Sequence, residues 1–215
     1  MDKEIPLFDL HQHTTFSDGD MHPKVMAEHI KNYEDRRIMT VTDHDSLEWH
    51  KIHRAYMTGI EISCTIEING KTVPVDLLYY GFEIEKMEKI IEKFSYDWFP
   101  TVQDIDGWTR KQRRGRNGTK LILAHPYYCR HYDTSINAYL GACLRHVDGL
   151  ECFHSSARTE GSVLNLLKAC EAHNKIASGG SDNHSAMPES VPWIEMRNKY
   201  KSLFNWILNM KDMGY

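Results

Sequence analysis

The chain has 215 residues, 41% of them hydrophobic, with 26 Lys plus Arg against 30 Asp plus Glu and a formal net charge of −4. This length suits one ordinary domain with a full core and is slightly short for an eight-fold βα barrel, and the charge gives no long-range attraction for a nucleic-acid backbone. No apolar run reaches the length of a membrane span, the start MDKEIPLFDL lacks a signal-peptide pattern, and the five cysteines show no CxxC spacing, so reduced thiols in a cytoplasmic protein are expected.

In chain order, residues 6–10 read as a short strand that leads into HQH at His11 to His13 and then SDG at Ser17 to Gly19. Pro23 opens a helical stretch with Val25, Met26 and Ile30 at helical spacing, and residues 38–41 form a second strand running into TDHD at Thr42 to Asp45. This is a βαβ unit. Residues 60–68 and 73–80 read as two strands joined by Asn69-Gly70, the preferred two-residue hairpin turn, with GIE at Gly59 to Glu61 near the start of the first. Helical character returns from 85 to about 94, and RKQRRGRNGTK at 110–120 is expected as a basic, glycine-broken loop. A strand at 121–124 carries AHP at Ala124 to Pro126. Another at 149–153 precedes a helix at 162–173 with Val163, Leu166, Leu167 and Cys170 on one face. The last strand, 176–178, runs into SDNH at Ser181 to His184, and the tail puts Leu203, Trp206, Ile207 and Met210 on one helical face. There is no internal repeat and no low-complexity segment.

Imidazoles and carboxylates at the ends of several strands of one sheet converge on one point, and mixed oxygen and nitrogen donors suit Zn, Mn or Fe. A multinuclear metal site is the natural reading, on an α/β barrel-like sheet.

The set HQH, SDG, TDHD, GIE, AHP and GSDNH, in that order over residues 11–184, resembles the polymerase and histidinol phosphatase (PHP) superfamily. The resemblance implies a distorted seven-stranded β/α barrel of TIM-like type, with two or three divalent ions at the strand C-terminal ends and hydrolysis of a phosphate ester. It implies a single domain over residues 1–215, with 85–120 as a small partial cap or loop insertion. Position by position, it implies His11 and His13 on a first ion with Glu61 and Asp182 shared, Glu61 and His125 on a second, and Asp18, His44 and His184 on a third. The chain departs from the pattern at Asp76, where relatives often carry a histidine. An aspartate there either ligates, favouring harder ions, or only sits nearby.

Other residues near these motifs carry two readings each. Asp43 is expected to orient a ligand imidazole through its second nitrogen, and Asp45 either caps the following helix or holds a water that protonates the leaving group. His154 follows a strand and so points toward the mouth, as a support to a metal ligand, a substrate contact or a proton donor, and Arg158 either grips a phosphate bidentately or is a solvated helix-start residue. His22, His29, His50, His53, His131, His146 and His173 read as surface or helix residues. The basic run from 110 to 116 is a solvated loop or a phosphate-attracting flap, and Trp98, Trp108, Tyr127 and Tyr128 pack or stack on substrate.

The function expected is a metal-dependent phosphatase acting on a small phosphorylated substrate through a metal-bridging hydroxide, with nucleic acid disfavoured as a partner and no membrane partner expected. A phosphodiesterase or exonuclease on nucleic-acid ends, a non-catalytic PHP-like metal-binding module and an amidohydrolase on the same scaffold remain the alternatives. The sequence leaves the oligomeric state open.

Overall fold

The computed structural model describes residues 7–33, 37–53, 57–94, 99–115, 119–157, 159–186 and 201–207. Seven strands alternate with helices: β1 (Leu7–Asp9), α1 (Pro23–Tyr33), β2 (Arg37–Met39), α2 (Glu48–Ile52), β3 (Gly59–Ile68), β4 (Lys71–Tyr80), α3 (Ile84–Ile91), α4 (Val102–Gly115), β5 (Lys120–Leu123), α5 (Ile136–Cys143), β6 (Gly149–Phe153), α6 (Glu160–Ala172) and β7 (Ile176–Gly179). Short 3₁₀ turns cover Pro126–Tyr132 and Lys201–Phe204. Among the described residues, no helix is long and apolar enough to cross a membrane.

The strands form two sheets, a parallel β1-β2 pair and a five-stranded sheet in the order β3-β4-β5-β6-β7. Among the described residues, the seven strands of the expected distorted barrel are present but do not form one closed sheet. The ends of the two sheets are joined only by isolated bridges, Gln12 to Asn183 and His44 to Glu61, and by single bonds such as Leu10 N–H to the Gly179 carbonyl. The physical reason is that β1 and β2 are three residues each, after which the HQH and TDHD segments leave regular strand geometry.

The hairpin forms as its turn chemistry dictates, with Asn69 at φ 53° and Gly70 at φ 76°. In β4 the run Leu77 to Tyr80 is buried, and β4 pairs with β3 on one edge and β5 on the other. From β5 to β7 the pairing is parallel, with α5 and α6 as crossovers, so the carboxyl ends of these strands share one rim. Leu166, Leu167 and Cys170 of α6 are buried in the main core as the stripe predicts. A second, smaller core of Met21, Met26, Ile30, Met39, Val41 and Trp49 lies beneath α1 and α2. Val25, assigned to the apolar stripe of α1, is instead exposed.

The predicted basic loop is corrected, because its first residues continue α4. Arg110 and Arg113 pair with the buried Asp106, and Arg113 also reaches Asp148 Oδ1 at 2.8 Å, so these cations are committed within the fold. The apolar residues of α3 and α4, Ile84, Met87, Ile90, Val102 and Ile105, join the main core. In the tail, Phe204 lies 5.5 Å from the rings of Phe8 and Phe153, and Trp206 Nε1 donates to the Ala177 carbonyl. Met210 falls outside the described residues.

Candidate metal centre

His11 and His13 leave β1 on alternating backbone positions, and both side chains are fully buried. The chain beside them must be glycine. A Cβ on Gly180 would lie 2.3 Å from His11 Cβ, and one on Gly19 would lie 2.6 Å from the His13 carbonyl carbon. Glu61, third residue of β3 and also fully buried, is where the imidazoles meet. Its Oε2 lies 2.8 Å from His11 Nε2, 3.1 Å from His13 Nε2 and 3.3 Å from His44 Nε2, and its Oε1 lies 3.0 Å from His125 Nε2. Asp182 Oδ1 approaches the same His11 and His13 nitrogens at 3.3 and 3.1 Å.

A more open group stands beside it. Asp18 lies 3.2 Å from His184 Nε2, 3.6 Å from His13 Nδ1 and 3.9 Å from His44 Nε2. The side chains of Asp18 and His184 are 58% and 38% exposed, which makes this the solvent side of the centre. Asp76, on β4 opposite Ser63, is grouped with His44 and Glu61 and lies 3.8 Å from His125 Nε2. Each proposed ligand is thus brought into one connected cluster. Three site residues, Asp45, His125 and Asp182, hold positive φ values of 48°, 24° and 52°, a conformation that non-glycine residues adopt at some energetic cost.

The electrostatics are those of buried opposite charges. Burial alone would lower the His11 pKa, but Glu61, Glu151 and Asp182 push it well above the usual imidazole value. Burial likewise opposes the charge on His13, which Asp182 and Glu61 nonetheless hold up at about 9. Glu61 and Asp182 are both driven well below the ordinary carboxylate range, against the effect of burial, by His11 and its neighbours. Asp45 behaves oppositely: burial first, then the Asp76 and Glu61 charges, raise it to about 7, although the Ser63 N–H opposes the rise. Burial and Glu61 also raise Asp76.

These residues fit divalent ions. His13 Nε2 is buried and makes no hydrogen bond, although two carboxylate oxygens lie 3.1 Å from it. An atom so placed is suited to donate a lone pair, and the groups His11-His13-Glu61-Asp182, His13-Asp18-His44-His184 and His44-Glu61-Asp76 each offer ligand atoms within 4.8 Å of one another.

The supporting residues differ from expectation at Asp43 and Asp45. Asp43 touches no imidazole. It accepts from the Thr14 N–H at 2.6 Å, the Thr14 hydroxyl at 2.8 Å and the Ser17 hydroxyl at 2.9 Å, and Ser17 Oγ in turn lies 3.5 Å from His13 Nδ1. Asp45 does not cap α2, whose N-terminal flank is Leu47 without a side-chain cap; it accepts the Ser63 N–H instead. His154, buried, accepts the Ser156 N–H on Nδ1, which places its proton on Nε2, 3.0 Å from Asp182 Oδ2. Arg158 and Trp98 fall outside the described residues. Tyr128, in the turn after β5, lies 4.3 Å from the His125 ring and 5.5 Å from His154. His50, read as a surface or helix residue, is a buried helix histidine bonded to the Val41 carbonyl.

Sequence reasoning missed Glu151. It is wholly buried in β6, 3.0 Å from His11 Nδ1, and groups with His11 and His154. The signal was a lone carboxylate inside the apolar strand GLECF, since a buried charge needs partners.

Among solved structures, a Bifidobacterium adolescentis protein assigned as a metal-dependent phosphoesterase superposes with TM-score 0.63 and 16% identity, covering 94% of this chain and 96% of that one. The two chains share a fold over nearly their whole lengths. A Bacteroides vulgatus two-domain protein with a predicted PHP-like metal-dependent phosphoesterase matches at TM-score 0.55 and 16% identity, covering 83% of this chain and 52% of that one. An amidohydrolase from Chromobacterium violaceum, with bound sulfate and no metal, matches at TM-score 0.55 and 15% identity over 91% and 96% of the two chains. No family model matches the chain. No curated protein matches it either.

Proposed function

We propose that the chain is a metal-dependent phosphatase of the PHP superfamily, acting on a small phosphomonoester with two or three divalent ions, Zn, Mn or Fe, as cofactors. The observation that carries this reading is one fully buried carboxylate, Glu61, ringed by His11, His13, His44 and His125 within 3.3 Å. Ions held there would supply a hydroxide near neutral pH and would offset the negative charge on the phosphoryl oxygens in the transition state.

The chain's own residues define the rest. His11, His13, Glu61 and Asp182 would hold one ion, Glu61, His125 and Asp76 a second, and Asp18, His44 and His184 a third. The solvent-facing side of Asp18 and His184 gives the substrate its approach. Asp45, raised to about 7 at the edge of the cluster chiefly by burial, is protonated in about half of the molecules at neutral pH, which supports a role in protonating the leaving alkoxide. His154 keeps Asp182 in place through its Nε2 proton and is the second candidate donor. Arg158 is the proposed phosphate contact: Arg158→Ala should raise KM with kcat retained.

A small substrate is favoured over nucleic acid because Arg110 and Arg113 are engaged by Asp106 and Asp148 and the chain is net acidic. The test is a panel of phosphomonoesters, diesters and amides with the Mn-loaded and Zn-loaded protein. Release of inorganic phosphate from monoesters, abolished in Glu61→Gln, supports the proposal. Turnover of diesters or amides alone would overturn it.

A further inference from the structure

Glu151 lies in the middle of β6 with no solvent exposure, and both of its oxygens are used. Oε1 is 3.0 Å from Nδ1 of His11, and Oε2 accepts the backbone N–H of His125 at 2.8 Å. These two histidines flank Glu61, one on each oxygen. A carboxylate only accepts, so His11 donates from Nδ1 and its Nε2 faces Glu61 and Asp182 as the ligand atom. At His125 the backbone has φ 24°, and its N–H is secured by Glu151. The β6-β7 register is irregular between Glu151 and Phe153, a local distortion of the kind that re-aims side chains near active sites.

We propose that Glu151 is a positioning residue for the ion centre: one buried carboxylate sets the ring of His11 and the turn of His125 so that both imidazoles meet Glu61. This rests on the reading of the cluster as an ion site. A purely structural acid would give a different result on substitution, losing stability while ion affinity stayed unchanged.

Glu151→Gln keeps the shape but offers one acceptor and one amide donor, so one of the two N–H groups loses its partner. Mn affinity, measured by competition with a chromophoric chelator, should fall about 10- to 100-fold, the usual effect of losing such a support. In the Zn-loaded protein, nitrogen correlation spectra should show a Nδ1–H on His11 that is shifted in the variant. Cys152→Ala, on the same strand, is the comparison and should lower stability with wild-type ion affinity. If Glu151→Gln does not fold, Glu151→Asp, too short to reach both partners, is measured the same way. Wild-type ion affinity in whichever variant folds would overturn the proposal. No substrate enters these measurements, so a wild-type chain that binds ions but cleaves no phosphate ester would overturn the function alone. One that binds no ions would overturn both.

Discussion

Glu61 has no contact with water, and its charge is compensated entirely by imidazoles. Removing one partner from such a buried arrangement leaves an uncompensated charge, so substitutions here should cost far more than elsewhere. Glu61 is shared by more of the ligand atoms than any other carboxylate of the cluster, and Glu61→Gln should therefore lose more than one ion, read as metal per chain. Gly180 supports the same point from the backbone side. Gly180→Ala forces a methyl group into His11 and should cost about 1–3 kcal/mol in thermal unfolding together with ion content. Wild-type stability and metal content would show that His11 can give way. Asp76 is the residue whose role is most open to substitution. Asp76→Ala should remove one ion with the fold intact, and Asp76→His should restore it with a shift toward Zn; unchanged stoichiometry and preference in both would return Asp76 to a bystander.

At the scale of elements, α4 is fastened by charge as well as by apolar packing. The Arg113 side chain is only 10% exposed and links Asp106 to Asp148, while Asp148 Oδ2 also accepts the Leu121 N–H of β5. Arg113→Ala should destabilise by about 1–3 kcal/mol in denaturant unfolding, since the buried Asp106 loses one partner while keeping Arg110 and His146, with ion content and kcat unchanged. Loss of activity at constant stability would instead make this helix part of the site. The same helix shows where the sequence was hard to read. Its polar, arginine-rich second half looks like a loop because the cations hide their partners, which lie at Asp106 and far along the chain at Asp148. The strands were legible because β4, β5 and β6 carry short apolar runs, and the hairpin because Asn-Gly fixes its turn. Helix α5 was missed because it carries no polar face to mark its period, and α2, anticipated only as the helix following Asp45, is five residues long.

Over the whole molecule, the ligand residues come from β1, β2, β3, β4, β5 and β7 or the segments just after them, so no local segment can form the cluster alone. The motifs stood out in the sequence because each is short and chemically dense. Their supports did not, because Glu151, Ser17 and Thr14 act through contacts that only the folded chain brings together. A centre built this way couples ion binding to stability: ions that bind only the folded state should raise the thermal midpoint with the logarithm of their concentration over Kd, and chelation should lower it. The most direct test of the central claim is the metal content of the purified chain after loading with Mn, Fe or Zn at neutral pH. The account predicts at least two ions per chain, and less than one ion per chain would contradict it.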